Sequence, residues 1–272
     1  MRMFHTLMAA LLLPVAAQAQ EAPPPAPAGG DDDLAMKLAN PIASLISVPF
    51  QANWDFGLGP DGKGHKFLLN VQPVIPVSLN NDWNIISRTI LPVIDQQGVT
   101  GVGQGQSGLG DVVQSLFFSP KKPTSSGIIW GVGPVFLVPT ATDQALGTGK
   151  FGMGPTGVAL KQMGPITVGV LANHIWSVAG KDSRADVSTS FVNPFISYVT
   201  KKATTFSLAP EFTHDWRNNV WLIPVNVTVS QLVKIGKQPV SLGGGARYYL
   251  ASPSGGPDWG IRASVVLLFP TG

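Results

Sequence analysis

The stretch that decides the fold is 127–178, GIIWGVGPVFLVPTATDQALGTGKFGMGPTGVALKQMGPITVGVLANHIWSV. It predicts three strands, 127–139, 150–161 and 165–178, joined by a long polar loop at 140–149 and a short turn at 162–164. The third strand alternates, with Ile166, Val168, Val170, Ala172 and Trp176 on one side and Thr167, Gly169, Asn173 and Ser177 on the other. A period of two indicates a sheet with one apolar and one polar face. Because no helix in the chain is expected to cover the apolar face, the sheet is predicted to close into a barrel that lies in lipid.

Composition excludes several classes of function before any motif is considered. Charged residues make up only 12% of the 272 residues, against about 25% in typical soluble domains. The mean hydropathy is positive, at +0.21. Cysteine is absent, which removes disulfides and thiolate chemistry. The net charge of +3 comes without a basic arm beside stacking aromatics, so nucleic acid is not expected as a partner.

The N-terminal residues 1–19 have the pattern of a signal peptide, with basic Arg2, an apolar run from Leu7 to Ala17 and cleavage expected after Ala19. Residues 20–43 follow as a linker rich in proline, glycine and aspartate, with a short helix expected over 34–39. This helix either plugs the barrel or lies at its rim, and the rim is the preferred interpretation. Residues 44–272 are assigned to one barrel domain. A secreted, apolar chain without a long apolar run is typical of outer-membrane barrels, so the expected location is the bacterial outer membrane.

Twelve predicted strands follow one another with little other structure between them. Their ranges are 44–55, 65–77, 82–94, 110–119, 127–139, 150–161, 165–178, 187–200, 203–213, 220–233, 239–250 and 257–269. Longer connections alternate with shorter ones, as they do in barrels with long outer loops and short inner turns. The predicted fold class is therefore all-β, a closed antiparallel up-and-down transmembrane β-barrel of about twelve strands.

Aromatic residues fall near both ends of these strands. The outer group is Trp54, Trp176, Trp221, Tyr248 and Trp259, and the inner group is Trp83, Trp130, Tyr198, Phe117 and Phe269. Amphipathic rings favour the two membrane interfaces, so the pattern predicts two aromatic belts.

Prolines inside the predicted strands are the feature that argues against a regular barrel. They are Pro73, Pro92, Pro134, Pro155, Pro194, Pro210 and Pro224. A proline cannot donate to the ladder, and a closed barrel has no edge strand to hold it, so bulges or bends are expected in the wall.

Strand alternation assigns a set of polar side chains to the lumen. The charged members are Lys66, Arg88, Asp111, Glu211, Arg247 and Arg262, and the neutral members are Gln51, Asn53, Asn70, Gln72 and Asn226. Inward charges either pair to brace a filled barrel or line a permeation path, and the combined set favours a polar channel lining. Basic side chains outnumber acidic ones, which favours anionic or neutral polar-headed solutes.

Five segments resemble a bacterial family of outer-membrane proteins labelled MetA-pathway phenol-degradation proteins or transporters. They are NPIASLISVPFQANWDFGLGP (40–60), NVQPVIPVSLNNDWNIISRTILPVI (70–94), GLGDVVQSLFFSPKKP (108–123), WGVGPVFLVPTATDQALGTGKFGMGP (130–155) and GPDWGIRASVVLLFP (256–270). The resemblance implies a β-barrel and uptake of small molecules, aromatic ones included. It implies no catalytic motif.

No cofactor or metal site is predicted. Gly103-x-Gly105-x-x-Gly108 lacks the preceding strand and following helix of a dinucleotide site, and the histidines lack metal spacing. The favoured function is a non-enzymatic channel for passive passage of small molecules, with outer-membrane lipid, the solute and the barrel-assembly machinery as partners.

Two alternatives stay open, an outer-membrane enzyme acting on lipid and a filled barrel used as a structural protein or adhesin. The enzyme needs a serine, a histidine and an acidic residue on one face near the outer rim. His174 and Ser177 do not meet that need, because their odd spacing places them on opposite faces of a strand.

Overall fold

The computed structural model describes residues 30–270, and the predicted signal peptide and residues 20–29 of the linker lie outside them. One helix, α1 (Asp31–Leu38), precedes fifteen strands. The strands are β1 (Ile46–Leu58), β2 (Gly64–Val71), β3 (Val74–Ser78), β4 (Trp83–Gln97), β5 (Gly105–Leu109), β6 (Val112–Pro120), β7 (Ile128–Val138), β8 (Lys150–Met163), β9 (Ile166–Gly180), β10 (Ser188–Val199), β11 (Thr204–Pro210), β12 (Phe212–Asp215), β13 (Val220–Ile235), β14 (Gln238–Ala251) and β15 (Trp259–Phe269). Within the described range, no helix has the length and apolar character needed to cross a membrane.

The strands form one closed antiparallel barrel. Strands that follow one another in the chain pair with each other, except for β2 with β3, β5 with β6 and β11 with β12. The strand β15 pairs with β1 from Ile46 opposite Phe269 to Phe56 opposite Trp259, which closes the wall. The pairs β2 with β3, β5 with β6, and β11 with β12 each continue one strand past an interruption, so the fifteen segments make twelve barrel strands. The predicted fold class is confirmed. We call the end with the longer loops the outer end and the end that holds α1 the inner end.

The three interruptions lie where prolines or a glycine prevent regular pairing. Pro73 separates β2 from β3, and Pro210 ends β11 just before Glu211. The break between β5 and β6 lies opposite Pro92, whose carbonyl accepts a hydrogen bond from the Gly110 N–H at 2.9 Å. The expected irregularities of the wall are therefore present. Each one carries a polar residue, Gln72, Asp111 or Glu211. The register against the neighbouring strand shifts by one residue only at the break that holds Asp111, whereas it continues unchanged past Gln72 and past Glu211.

Burial alternates along the strands and identifies the two faces of the wall. In β15, Val266 and Leu268 are 9% and 0% exposed, whereas Val265 and Phe269 are 42% and 41% exposed. The first pair points into the barrel and the second points outward. The exterior carries a broad apolar surface, as a sheet closed in lipid requires.

The predicted belt residues lie mostly on this exterior. Exposed rings are Trp54, Trp83, Trp176, Tyr198, Trp221, Tyr248, Trp259 and Phe269, while Trp130 is half-buried and packs edge-on against Trp83 at 5.9 Å. Phe117 was placed wrongly in the inner belt, because it is 1% exposed and points into the barrel. Its neighbour Phe118 is the exposed ring. Alternation in steps of two from Asp111, which was assigned to the lumen, would have placed Phe117 on the inner face.

The helix α1 begins three residues earlier than the sequence indicates. Its first turn is Asp31–Asp33, and these negative charges lie at the positive end of the helix dipole. Lys37 occupies the last turn, and the Ala39 N–H donates to the Ala35 carbonyl at 3.0 Å. The helix then ends before Pro41, which cannot continue it.

This helix lies in the inner mouth of the barrel. The position at the rim that the sequence favoured was wrong. Ala35 is 3% exposed because it packs among inward-facing residues of the wall. The buried residues of this cluster besides Ala35 are Leu45, Val199, Ala203, Leu232, Val266 and Leu268. Ile42 is also buried, among Ile86, Phe117 and Leu171. Residues 31–45 therefore narrow the lumen from the inner end.

Candidate permeation pathway

The lumen contains two cavities that share part of their walls. The upper cavity has a volume of about 540 Å³, and the lower cavity, nearer the inner end, has about 340 Å³. Leu38 and Pro41 line both cavities, so the chain that follows α1 passes between them. Arg88 and Gln72 also line both, which places them where the two spaces meet.

The wall of the upper cavity has two chemically different sides. The charged side chains come from β14, β15, the break before β12 and β4, with Arg247, Arg262, Glu211 and Arg88, and the amides Gln51, Asn53 and Gln72 lie beside them. The other side, from β6, β9, β10 and the residue Ile90 of β4, carries the apolar side chains Ile90, Val113, Leu171, Ile175, Phe191 and Phe195 together with the uncharged polar residues Ser115, Asn173, Thr189 and Asn193. A space with both sides suits a solute that has a polar head and an apolar body.

Charged side chains on the polar side form a chain of ion pairs. Glu211 lies 3.3 Å from the Arg262 guanidinium and 3.9 Å from that of Arg247. Arg247 also lies 3.3 Å from Asp55, and both of these side chains are buried. The Arg262 Nε–H donates to the Asn53 amide oxygen at 2.7 Å. Glu211 points into the lumen by ordinary alternation, because the register continues unchanged from β11 to β12 and Ser207 and Ala209 line the cavities in the same phase.

Arg88 stands apart from this chain. Its guanidinium donates to the Gln72 amide oxygen at 2.9 Å. Among residues 30–270, no carboxylate lies within 4.0 Å of it. Arg88 is therefore a cation at the junction of the two cavities whose only side-chain partner is neutral.

The structure brings most of the predicted lumen set together. Gln51, Asn53, Asn70, Gln72, Arg88, Glu211, Arg247 and Arg262 line the upper cavity. Lys66 points inward but lies outside the cavity lining, in register with Asp55. Asn226 is 1% exposed and donates to the Ala209 carbonyl at 2.8 Å, so it contacts the wall itself.

Asp111 has a different position from the rest of the predicted set. Its carboxylate accepts hydrogen bonds from the Ala141 N–H at 3.1 Å and from the Thr148 N–H and hydroxyl at 2.6 and 2.7 Å. It therefore holds the loop 139–149 at the outer end. A methyl group on inward-facing Gly108 would meet Thr142 and Leu146, so this loop covers part of the lumen from the outer end.

Arg184 fixes the same loop from the other side. Its guanidinium donates to the carbonyls of Thr148 at 3.0 Å, Gln144 at 2.9 Å and Gly147. Nearby, Lys150 and Arg217 lie 3.1 and 3.6 Å from Asp186. The hydrogen bond and positive charge of Lys150 hold the pKa of the Asp186 carboxyl below its ordinary value, despite a small opposing effect of desolvation.

Sequence reasoning missed Asp55 as a member of the lumen set. It is 2% exposed and pairs with Arg247. Asp55 follows Asn53 by two residues, so alternation places it on the same inward face. Asp55 is the last residue of the predicted strand 44–55, and it was not assigned to either face. Which residues meet across the lumen cannot be read from alternation at all, because it assigns a face and not a partner.

A polar cluster lies on the exterior, lipid-facing side of the barrel wall, near the outer end. The His174 Nδ1 lies 2.7 Å from the Ser190 hydroxyl, and the Trp216 indole N–H donates to the same hydroxyl at 2.9 Å. His174 also packs against Trp176, with ring centroids 4.1 Å apart. The residue that meets His174 is therefore Ser190 on the next strand and not Ser177.

Comparison with known proteins supports the fold and goes no further. No family model matches this chain, and no curated protein matches it. The chain is similar to the COG4313 outer membrane channel from Pseudomonas putida F1, with a TM-score of 0.65 and 13% identity over 83% of this chain and 96% of that chain. It also aligns with outer-membrane expressed OmpT of Vibrio cholerae, with a TM-score of 0.39 and 8% identity over 82% and 97%, a likeness too low to carry an argument.

At this identity the likeness to the COG4313 channel shows the fold alone, a barrel of the kind found in the bacterial outer membrane. The resemblance to the MetA-pathway family stays a prediction.

Proposed function

We propose that this protein is an outer-membrane channel for passive passage of small molecules. The observation that carries the proposal is the upper cavity of about 540 Å³, which lies inside a closed barrel and has polar groups on its wall. A barrel of this size is narrow, and side chains together with inward-folded segments leave limited space in it. The likeness to a COG4313 outer membrane channel supports this reading at the level of the fold.

Two segments of the chain limit the size of the solute. Residues 31–45 narrow the inner end, and the loop 139–149 covers part of the outer end. The expected solutes are therefore small, and the apolar side of the cavity makes aromatic bodies suitable.

Liposome swelling tests the proposal. Proteoliposomes that contain folded protein should swell in a small polar solute such as glycine, and should not swell in the trisaccharide raffinose. Vesicles with the heat-denatured protein serve as the control. Absence of flux for every solute, with folded protein confirmed by its gel mobility, would contradict the channel function.

One observation favours the enzyme acting on lipid as a second candidate. The His174–Ser190 pair lies on the lipid-facing side, and a serine beside a histidine is the minimum of an acyl-transfer site. In the part of the chain that the structure describes, His174 has no carboxylate partner to orient it. Hydrolysis of phospholipid or of a short-chain nitrophenyl ester, lost in Ser190→Ala, would support this candidate. Equal rates in the two proteins would exclude it.

A further inference from the structure

The lumen wall carries more positive than negative charge around the upper cavity. The inward basic side chains are Lys66, Arg88, Arg247 and Arg262, and the inward acidic ones are Asp55 and Glu211. Asp111 does not alter this balance at the cavity, because its carboxylate binds the backbone of the loop 139–149. Buried charges are unfavourable unless they are paired, so an excess of cations around an enclosed space favours an anion within it.

We infer that the upper cavity is a binding site for a small organic anion with an apolar body, such as an aromatic carboxylate. The inference rests on the proposed function and names the class of solute. Its core is Arg88, which has one neutral partner, Gln72, and no carboxylate partner among the described residues. A guanidinium offers five N–H donors in a planar fork, and that geometry matches a carboxylate.

The two arginines on the neighbouring part of the wall differ from Arg88. Arg262 is bound to Glu211 and Asn53, and Arg247 is bound to Asp55. Their charges raise the electrostatic potential of the cavity, but each is already paired with a carboxylate. The Arg247 Nε–H has no hydrogen-bond partner among the described residues. Arg88 therefore makes the direct contact with the anion, and Arg247 and Arg262 contribute at longer range.

The apolar side of the cavity determines the rest of the ligand. Phe191, Phe195 and Leu171 face the polar side across the lumen. An anion held at Arg88 places its other end toward these side chains, where an aromatic or alicyclic ring loses contact with water favourably. A volume of about 540 Å³ lies within the range of ordinary small-molecule pockets, so one such ligand fits.

Three probes of the same shape and different charge test the inference. Purified full-length protein in detergent is titrated with benzoate, benzyl alcohol and benzylamine, and binding is measured by calorimetry. Benzoate should bind at least about tenfold more tightly than the other two, because charge-assisted hydrogen bonds are worth roughly twice neutral ones. Equal binding of benzoate and benzyl alcohol by the wild-type protein would overturn the inference.

Two variants with opposite expected effects separate binding from stability. Arg88→Gln should weaken benzoate binding about tenfold, since it removes the direct cation. Glu211→Gln should strengthen it, since it removes the carboxylate that competes for Arg262. A merely structural role would weaken binding in both variants, and that result would overturn the inference. Arg217→Gln, which removes an arginine of an outer loop, is the matched control and should leave binding unchanged.

The same probes distinguish this inference from the channel function. Swelling in glycine, with no preference for benzoate over benzyl alcohol in the binding titrations, would remove the anion site and leave the channel. Benzoate binding without flux of any solute would leave the site and remove the channel. In a potassium chloride gradient, conduction that favours chloride is the expected result, and a preference for potassium would overturn the anion site.

Discussion

Arg247 reaches Asp55 across an intervening strand, with Gly260 between them. Arg247 in β14 lies opposite Gly260 in β15, and Gly260 lies opposite Asp55 in β1. A methyl group on Gly260 would stand 2.5 Å from the Asp55 carboxylate oxygen. The absence of a side chain at this position therefore allows a guanidinium and a carboxylate two strands apart to pair at 3.3 Å.

The Asp55–Arg247 pair predicts that removing one of the two charges destabilises the barrel far more than removing both. Asp55→Ala leaves Arg247 buried with Glu211 at 3.9 Å as its remaining acidic partner, so the barrel should lose about 3–5 kcal/mol. The double variant Asp55→Leu with Arg247→Met removes both charges and should recover most of that loss. The measurement is urea unfolding in detergent, followed by tryptophan fluorescence and gel mobility.

The control for this prediction is Asp82→Ala, a change of the same residue type in an exposed inner turn. It should alter the free energy of unfolding by no more than about 0.5 kcal/mol. If Asp55→Ala matched Asp82→Ala, the ion pair across Gly260 would have no part in stability.

The position of α1 predicts that one substitution opens the inner end. Ala35 is buried, and Ala35→Arg puts a long charged side chain among apolar residues at a cost of several kcal/mol, which the helix avoids by leaving the mouth. Single-channel conductance should rise while the barrel stays folded. Ala185→Arg, in an exposed outer loop, is the matched control and should keep the wild-type conductance. An unchanged conductance in Ala35→Arg would mean that residues 31–45 do not restrict the path.

The sequence predicts the barrel well because its signals are local. Each strand has one apolar and one polar face, so its sequence alternates with a period of two that can be recognised without knowledge of the rest of the chain. The outward-facing Val168 and Val170 of β9 are an example. The inward set also follows from this alternation, and most of it lines the upper cavity. Closure then follows physically, because an apolar exterior in lipid tolerates no open edge.

The parts that were missed depend on contacts between distant segments. The place of α1 is set by its fit among residues such as Val199 and Leu268, more than a hundred residues away in sequence. The contact between His174 and Ser190 depends on the register of β9 with β10.

Arg184 predicts how firmly the loop 139–149 is held. Arg184→Ala removes three hydrogen bonds to loop carbonyls, each worth about 1 kcal/mol. The loop should then open more often, and its cleavage by a protease added to folded protein should accelerate by at least about tenfold. Lys181→Ala, an exposed neighbour whose contact with this loop is through its backbone, serves as the control. Equal cleavage rates in the two variants would show that Arg184 does not hold the loop.

The loop at 181–187 should respond to acid through Asp186. Its pKa in the folded protein is lower than the ordinary value of 3.8, chiefly because Lys150 donates a hydrogen bond to it and adds a positive charge nearby. The ionised carboxylate therefore favours the folded loop. This contribution is fully present above the ordinary value and is lost as the pH falls through the lowered pKa.

Hydrogen exchange of this loop, corrected for the intrinsic effect of pH, measures the change. Protection should stay constant from neutral pH down to about the ordinary aspartate range and fall below it. Asp186→Asn cannot ionise, so it should lack this step and show weaker protection at neutral pH. Asp143→Asn, in the neighbouring outer loop and without a salt bridge among the described residues, should keep the step. A step that survives in Asp186→Asn would assign the response to another group, because the Lys150–Asp186 pair would then be absent at every pH.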